Sequence, residues 1–518
     1  MHKLNFYRLK NGINLVHVYI SDFPVGLSSF WLRAGSREDP RGKEGLAHFF
    51  EHILTTKTAK FPDRQKRLVE IEKQGFLFNA LTSLETANYY LVHSPEDTGS
   101  ALDLLIDGLS SSVFEEKDID EEKQIIIDEE RRNQNDPRSY IWRLANSGLW
   151  PHSQMGSSFF GNQETIETIT KNDLLDFYNT HYQPQNAIFL LINSLENVGG
   201  QLKKLEKVKT LNSKTIVGKD NLSERKNIIF DKKDLNYSQI ALSFLTTNGL
   251  NEKDQLILDL IKNYLASGWM SRLVMRLRVQ EKLTYWVSSH SDRFNDTGFI
   301  RFTTSLDKGK MAIMLKIFEK EIILLKSETI QNEILDQHKN KYKNDILRST
   351  LDINFLNWWY GSDFIAFGKK PLLINEYTEK ILRVTPEQIQ EVANKYFQKD
   401  FREMAAGKRA ILFAEKYRKV VGTVQLVYTM PDWGLADGQN CGHLHHLRVN
   451  EDYRNQGIGR KLEQELIALA KKKGFKKVSL SIDHDESYEF LKTLYLKWGY
   501  CFLKETPKTH ETCFYKEI

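Results

Sequence analysis

The sequence has few cysteines and no apolar segment long enough to span a membrane. Only three cysteines occur among 518 residues, Cys441, Cys501 and Cys513, and none of them forms a CxxC pair. This excludes a disulfide framework and a cysteine-based metal site, and it fits a reducing compartment. The N-terminal residues lack the continuous apolar core and small-residue cleavage site of a signal peptide. We therefore predict a cytoplasmic protein without membrane-spanning helices.

An excess of charge of either sign is also missing. Lysine and arginine total 73 and aspartate and glutamate total 68, which leaves a net charge of +5. That excess is too small to indicate a nucleic-acid partner. Hydrophobic residues make up 41% and charged residues 27%, which is typical of a globular protein. The length predicts roughly three domains.

Two similar segments predict a duplicated domain. Residues 169–184 (ITKNDLLDFYNTHYQP) and 384–399 (VTPEQIQEVANKYFQK) each begin with a β-branched residue and Thr, which is a helix N-cap signal, and continue as an amphipathic helix. The first copy would occupy residues 1–211 and the second residues 225–400, joined by the polar, lysine-rich stretch 206–226. Strand and helix patterns mix in both copies, which predicts an α+β fold.

A different pattern begins after Phe401. Residues 409–429 predict two strands joined by a polar turn. The order strand (HLHHLRV), loop (NEDYRNQGIG), helix (RKLEQELIALAKKKG) and strand (KKVSLSID) then predicts a βαβ unit. Residues 401–518 are therefore expected to form a third, small α/β domain.

The stretch EGLAHFFEHILTT sets two histidines four residues apart with a glutamate between them. On a helix His48 and His52 share one face and can bind one metal ion, while Glu51 can act as a general base. A third ligand is needed, and Glu122 and Glu129 share one face of a later helix. This spacing also arises by chance in a chain with 14 histidines. An ordinary helix that carries His and Glu therefore remains open at this stage.

The order HxxEH resembles that of the inverzincins, the pitrilysin and insulinase-type peptidases. The likeness is closer to the two-domain subunits of the mitochondrial-processing-peptidase type. Glu129 lies 77 residues after His52, the separation that this family uses for its third zinc ligand. The resemblance implies that Glu122 supports the ligands from behind. It also implies that GFLFNALTSLETANYY contains an edge strand that pairs with the peptide substrate, with Asn79 and Ala80 in contact.

The stretch SRLVMRLRVQEKLTYWVSS resembles the C-terminal motif of the same family. The resemblance implies that Arg278 and Tyr285 donate hydrogen bonds to the substrate carbonyl and the oxyanion. Without it, these two residues fit a helix-end arginine and a strand tyrosine. Since the family encloses a chamber between two domain pairs and this chain has one pair, the resemblance implies a homodimer whose active site is shared between chains.

The stretch YRNQGIGRKL places two glycines at the start of a helix, where backbone amides can bind phosphate. It resembles the acetyl-CoA signature of GNAT N-acetyltransferases, and an ordinary strand–helix turn is the alternative. The resemblance implies that Tyr495 is the acid for the departing thiolate, although a core aromatic also fits. The domain is short and lacks the first strand and helices of a usual GNAT. The implied acetyl-CoA contacts are Leu447, Val449, Arg454, Gln456, Gly457, Gly459 and Arg460.

Together these motifs predict a bifunctional enzyme with zinc and acetyl-CoA as cofactors. A zinc endopeptidase would cleave unfolded peptides, as in the removal of a leader from a peptide natural product, and the C-terminal domain would acetylate the product. Three alternatives remain. The peptidase serves general peptide turnover with a non-catalytic acetyl-CoA or partner-binding domain, or the peptidase half is a peptide-binding chamber for the acetyltransferase. In the third, the chain is a structural assembly subunit without chemistry.

Overall fold

The computed structural model describes residues 2–518 except 55, 184–185, 209–236, 308, 398–408, 417–418, 428, 431–435, 438, 450–453, 484–487 and 507–510. It contains two compact units. Unit 1 comprises Met1–Lys308 and Leu324–Tyr396, and unit 2 comprises Gly309–Ile323 and Phe397–Ile518. Most of the predicted linker 206–226 lies outside the described residues, and the predicted boundaries at 211, 225 and 401 stay predictions.

The first half of unit 1 is built on a six-stranded sheet in the order β1-β2-β6-β3-β5-β4. Strands β2 and β6 run parallel and the other neighbours run antiparallel. The strands are β1 (His2–Arg8), β2 (Asn14–Ile20), β3 (Gly26–Leu32), β4 (Leu77–Thr82), β5 (Ala87–His93) and β6 (Ala187–Asn193). The helices are α1 (Leu46–Leu54), α2 (Arg64–Lys73), α3 (Thr98–Ser110), α4 (Glu116–Asn135), α5 (Pro137–Leu149), α6 (Gln163–Thr168), α7 (Lys171–His181) and α8 (Gly199–Leu205).

One apolar core joins this sheet to its helices. Side chains from α1, α3, α4 and α7 pack on β3, β5 and β6 within a single buried cluster. Strand β6 reads AIFLLIN and is buried along its whole length, as expected for a strand at the centre of a covered sheet. The core therefore holds α1 and α4, which carry the candidate metal ligands, in fixed positions.

The second half of unit 1 has a three-stranded antiparallel sheet in the order β7-β9-β8 among the described residues. Its strands are β7 (Tyr237–Thr246), β8 (Val287–Arg293) and β9 (Gly298–Asp307). Helix α10 (Met311–Ser327) contains residues of both units. The other helices are α9 (Glu252–Ala266), a π-helix (Val274–Gln280), α11 (Asn332–Ser349), α12 (Ile353–Phe367), α13 (Ile374–Leu382) and α14 (Pro386–Tyr396).

Both segments of the predicted duplication are helices. Helix α7 begins after Thr170, whose hydroxyl accepts from the backbone N–H of Asp173 at 3.3 Å. Helix α14 begins after Thr385, whose hydroxyl accepts from the backbone N–H of Gln388 at 3.4 Å. The Thr signal thus marks the start of each helix, as predicted.

An ion cluster fastens the two halves of unit 1 to each other. Arg37, whose side chain is 4% exposed, donates to Glu85 at 2.6 Å and to Asp296 at 2.9 and 2.5 Å. Glu85 also accepts from the backbone and side-chain N–H groups of Asn295. Arg37 and Glu85 belong to the first half, and the other two residues lie between β8 and β9. A single guanidinium therefore ties that turn to the segment just before α1.

We expect Arg37→Ala to destabilise the chain by about 3 kcal/mol, because it leaves the carboxylate of Glu85 buried without its cation. Urea unfolding followed by circular dichroism measures this. Arg131→Ala is the control, since Arg131 pairs with Asp128 on the surface, where both side chains are 60% exposed, and such pairs contribute little. Equal stability of the two variants would contradict the role of the cluster.

Unit 2 contains a six-stranded sheet in the order β10-β11-β14-β15-β17-β16 and a small β12-β13 pair. The strands are β10 (Arg409–Lys416), β11 (Lys419–Val427), β12 (Thr429–Met430), β13 (Ala436–Asp437), β14 (Cys441–Val449), β15 (Lys477–Asp483), β16 (Cys501–Thr506) and β17 (Glu511–Glu517). Helices α15 (Ile458–Lys472) and α16 (Tyr488–Lys497) complete it. Strands β10 and β11 confirm the predicted strand pair, and β14, α15 and parallel β15 confirm the predicted βαβ unit.

The sheet of unit 2 opens between β14 and β15. These strands pair only from Cys441 to Leu444, opposite Lys477 to Leu480. Over the described residues beyond Leu444, β14 continues to Val449 paired with β11 alone. A gap between two parallel strands exposes backbone groups that an extended ligand can pair with.

No helix in the described ranges has the length and apolarity needed to cross a membrane.

Candidate functional site

Helix α1 is held at its first turn by a buried aspartate. The Asp39 carboxylate accepts from the backbone N–H groups of Gly45 at 2.8 Å and Ala47 at 2.7 Å. Burial raises the pKa of Asp39 well above its usual value, and these hydrogen bonds oppose the rise. Gly45 has a φ of +94°, and a Cβ there would lie 2.7 Å from the Phe160 carbonyl, so glycine is required. Sequence reasoning missed Asp39, because it lies seven residues before the helix and not at the N-cap position that sequence signals mark.

His48, His52 and Glu129 converge in the structure. Their candidate ligand atoms lie within 4.8 Å of one another. His52 Nε2 lies 3.2 Å from His48 Nε2 and 3.5 Å from Glu129 Oε2, and His48 Nε2 lies 3.8 Å from the same oxygen. Helix α4 packs against α1, and this contact brings the glutamate to the histidines. The three predicted ligands are thus neighbours in space.

Glu122 lies behind His52 and fixes its ring. His52 Nδ1 donates to Glu122 Oε1 at 2.8 Å, and Arg64 Nη1 donates to Glu122 Oε2 at 2.9 Å. Burial opposes protonation of His52, but the adjacent Glu122 carboxylate outweighs it and raises the pKa of the ring. With the proton on Nδ1, the neutral ring turns the Nε2 lone pair toward the other ligands. No spacing signal in the sequence pointed to Arg64.

Glu51, the candidate base, lies on α1 between the two histidines. Its carboxyl lies beside Thr82, the last residue of the edge strand β4. Burial raises the pKa of Glu51, while Thr82 and the neighbouring His52 oppose the rise. A carboxylate whose pKa is raised accepts a proton more readily than an exposed one, as a general base requires.

The donor set fits zinc. Two imidazole nitrogens and one carboxylate oxygen, with a further position left for water or substrate, are the usual composition of a catalytic zinc site. Burial lowers the pKa of His48 to about 3, so its ring is neutral at physiological pH, which is the form that binds a metal. The rings of Phe159 and Phe160 lie 5.2 and 4.8 Å from the His48 ring and shield it from water.

We expect Glu129→Gln to lower zinc affinity by at least about tenfold, because the amide replaces an anionic ligand. Competition with a chromophoric chelator measures the affinity. Glu121→Gln is the matched control, since Glu121 lies on the same helix with its side chain 64% exposed and pairs only with Lys117 among the described residues. Similar zinc affinities for the two variants would argue against Glu129 as a ligand.

Strand β4 is an edge of the six-stranded sheet and lies next to α1. Along it, Leu77 (71% exposed) and Leu81 (48% exposed) alternate with less exposed residues. The Asn79 side chain donates to the Tyr90 hydroxyl at 3.1 Å and accepts from the Ala80 backbone N–H at 2.9 Å. An exposed edge beside the metal ligands is suited to pairing with an extended peptide.

Arg278 and Tyr285 form a stack with a residue that sequence reasoning missed. The guanidinium carbon of Arg278 lies 4.6 Å from the Tyr285 ring centroid and 4.2 Å from that of Trp269. No hydrogen bond or ion pair between described residues joins this stack to the ligands on α1 and α4. The tryptophan precedes Arg278 by nine residues, and its exposed position gave no periodic signal.

The predicted acetyl-CoA loop has the backbone of an anion-binding turn. Gly457 has a φ of +77° and stands at the N-terminus of α15, where no side chain caps the helix. Gly459 lies close to β14, since a Cβ there would be 3.5 Å from the Val449 side chain. Arg454 donates to the Val449 carbonyl at 3.3 Å. The helix N-terminus therefore lies at the end of β14, beside the stretch that β15 does not cover.

Tyr495 is buried rather than open to a ligand. It is 5% exposed, and its ring lies 5.5 Å from Trp498 and 5.7 Å from Tyr500. Burial raises the pKa of Tyr495 to about 12. This is the geometry of a core aromatic, the alternative that the sequence left open, and the acid role stays a prediction.

Family models match most of the chain. Residues 24–162 match the insulinase (peptidase family M16) model, residues 168–342 match the peptidase M16 inactive domain, and residues 375–500 match the acetyltransferase (GNAT) family. The first match contains the α1 and α4 ligands, and the second contains the Arg278 stack.

Several curated proteins are similar over about three-quarters of the chain. An uncharacterized zinc protease of Rickettsia felis is 27% identical over 409 residues, which is 76% of this chain and 95% of that protein. The zinc protease PqqE of Helicobacter pylori is 25% identical and spans 75% of this chain and 89% of its own length. The human mitochondrial-processing peptidase subunit beta is 24% identical, with 73% and 78% covered.

Solved structures share the fold of about three-quarters of the chain. A protease from Helicobacter pylori superposes with a TM-score of 0.70 at 23% identity, covering 77% of this chain and 98% of that one. A putative M16-like peptidase from Alicyclobacillus acidocaldarius has a TM-score of 0.66 at 15% identity, covering 77% and 96%.

Proposed function

We propose that this chain, which combines the two domains of an M16 (insulinase-type) peptidase with a GNAT-family acetyltransferase domain, is a zinc endopeptidase that cleaves unfolded peptides and acetylates the product. The convergence of His48, His52 and Glu129 beside the general-base candidate Glu51 carries the peptidase half. The names of its zinc-protease relatives support the same metal.

Each side chain has a distinct task in this proposal. His48, His52 and Glu129 would hold the zinc, and Glu122 keeps His52 in the ligating tautomer. Zinc, when bound, activates water and polarises the scissile carbonyl. Glu51 takes the proton from the attacking water and passes it to the departing amine.

The substrate would bind as an added strand on β4. An extended backbone can pair with this edge, with Asn79 and Ala80 in contact, whereas a folded protein offers no free strand. The substrate is therefore a peptide in an extended conformation. We place its cleavage in the cytoplasm, in line with the scarcity of cysteine.

We further propose a homodimer in which Arg278 and Tyr285 of one copy act on the substrate held by the zinc half of the other. Within one chain, no hydrogen bond or ion pair among the described residues joins them to the metal ligands. Tyr285 is 79% exposed, so its ring is open to another surface. In the dimer both would donate to the carbonyl oxygen as negative charge develops there.

Acetyl-CoA is the proposed second cofactor. The uncapped N-terminus of α15 offers backbone N–H groups to its phosphates, with Arg454, Gln456 and Arg460 nearby in sequence. The uncovered part of β14, which includes Leu447 and Val449, offers backbone groups to the pantetheine arm.

We expect Gly457→Ala to weaken coenzyme A binding by at least about tenfold, because alanine disfavours the positive φ that forms the turn. Isothermal titration with coenzyme A measures this. Gly474→Ala is the matched control, since Gly474 has a φ of +87°, equal open space around its Cα and a position at the other end of α15. Unchanged coenzyme A binding by Gly457→Ala would show that this loop is not part of the coenzyme A site.

The chemistry of the peptidase and of the acetyltransferase domain suggests how the two reactions are coupled. Cleavage exposes a new α-amine, which is an acceptor for an acetyl group. Removal of a leader from a peptide natural product is one substrate class that needs both steps. The burial of Tyr495 favours a second candidate function, in which an active peptidase for general turnover carries a domain that binds acetyl-CoA without transferring its acetyl group.

Mass spectrometry of products formed from a peptide library with zinc and acetyl-CoA separates these functions. The proposal expects new N-termini that carry an added acetyl group. Cleaved but unmodified products would support the second candidate. Acetylated peptides without cleavage would support the alternative in which the peptidase domains only bind peptides for the acetyltransferase.

A further inference from the structure

The Arg278 guanidinium lies between two aromatic rings. Its central carbon is 4.2 Å from the Trp269 ring centroid and 4.6 Å from the Tyr285 ring centroid. Among the described residues, no carboxylate pairs with this guanidinium and no side chain hydrogen-bonds to it. An arginine covered by two rings is held by cation–π contacts alone.

This arrangement fixes the directions in which Arg278 can donate. A guanidinium is planar, and its five N–H groups point outward in that plane. The two rings occupy part of the space around the central carbon, which restricts the directions from which a substrate can meet those N–H groups. The stack therefore presents a preoriented cation, which is what stabilisation of a developing oxyanion requires.

Trp269 is presented by a firmly held turn. Gly268 has a φ of +81°, and its carbonyl accepts from the Ser271 hydroxyl at 2.6 Å. Ser271 is fully buried. On the other side, Lys341 donates to the Ser267 hydroxyl at 3.2 Å and to Asp345 at 2.6 Å. A ring on such a turn can act as a rigid wall.

The arginine itself comes from an unusual helix. Residues Val274–Gln280 form a π-helix, in which the Glu281 N–H reaches back five residues to the Arg276 carbonyl at 2.9 Å. Insertions of this kind re-aim side chains and occur often at functional sites. Both rings of the stack are nevertheless exposed, Trp269 at 61% and Tyr285 at 79%. Such large apolar surface is typical of a site completed by a ligand or a second copy.

We infer that Trp269 is a positioning residue for the peptidase reaction, which holds the Arg278 guanidinium edge-on to the carbonyl oxygen of the substrate. The inference rests on the proposed peptidase function. It adds Trp269, which lies before Arg278 in the sequence, to the residues Arg278 and Tyr285 of the motif. It also predicts that Trp269 affects the reaction only by orienting Arg278.

A double-mutant cycle tests whether Trp269 acts through Arg278. Trp269→Ala, Arg278→Ala and the double variant are compared on a quenched fluorescent peptide that the wild-type enzyme cleaves. We expect Trp269→Ala to lower kcat by about tenfold with little change in KM, because a misdirected donor is lost mainly in the transition state. The double variant should be no slower than Arg278→Ala, since both changes remove the same interaction.

Two further variants guard against a structural explanation. Trp269→Phe keeps a ring over the guanidinium and should retain most of the activity. Met270→Ala changes an exposed neighbour in the same turn, 48% exposed, and should leave kcat unchanged. Zinc content and melting temperature should match the wild type in every variant.

The outcomes separate the inference from the proposed function. Multiplied losses in the double variant, or full activity of Trp269→Ala beside an active wild type, would overturn the inference and leave the peptidase function intact. A zinc-loaded wild type that cleaves none of the peptides would overturn both.

Discussion

Replacing Glu51 by glutamine should reduce peptide cleavage by about a thousandfold and leave the zinc content unchanged. Glutamine has nearly the same shape but cannot take a proton from the attacking water, and a general base contributes about a hundredfold to ten-thousandfold. His48, His52 and Glu129 are untouched, so the metal should stay bound. The rate on a quenched fluorescent peptide and metal analysis of the purified chain measure the two quantities.

Glu130→Gln is the matched control for this experiment. Glu130 is also buried, and burial likewise raises its pKa, but its carboxylate pairs with Gln134 and Arg143. Loss of activity in this variant alone, or unchanged cleavage by Glu51→Gln, would refute the assignment of the base. Loss of zinc from Glu51→Gln would instead make Glu51 part of the metal site.

Features that depend on short spacings could be predicted from the sequence. The i, i+4 relation of His48 and His52 needs only a helix, and α1 supplies it. Alternation and apolar stripes likewise predicted β14, α15 and β15 of the small domain. Glu129 could not be chosen over Glu122 from spacing, because both lie on one face of α4, and the family resemblance made that choice.

Features that depend on distant contacts could not be predicted. Arg37 meets Asp296 only because the turn between β8 and β9 packs on the first half of unit 1. Arg64 on α2 donates to Glu122 on α4, and Trp269 packs on Arg278 from a separate turn. In each case neither partner carries a local signal, since an arginine or an exposed tryptophan is compatible with many positions.

The π-helix shows the same limit at short range. The pattern of residues around Val274–Gln280 is consistent with an ordinary helix, and it carries no signal for the wider turn. Arg278 lies within this π-helix, so the proposed role of its guanidinium depends on the wider turn. An experiment must therefore decide whether Arg278 acts on the zinc site of its own chain or on that of a second copy.

Mixing a Glu51→Gln chain with an Arg278→Ala chain should restore cleavage from near background to about a quarter of the wild-type rate. In the proposed homodimer, each site takes its zinc half from one copy and its arginine from the other. Random mixing makes about half of the dimers mixed, and each mixed dimer has one intact site of two.

The expected quarter distinguishes a shared site from a site within one chain. If Arg278 served the zinc half of its own chain, every site in a mixed dimer would still carry one defect, and the rate would stay at background. Native mass spectrometry of chains with different tags establishes that mixing occurred. Pairing Glu51→Gln with Glu129→Gln is the control, because both changes fall in the same half of the site and no mixed dimer gains an intact one. Activity in that control would show exchange or residual catalysis and would remove the argument for the shared site.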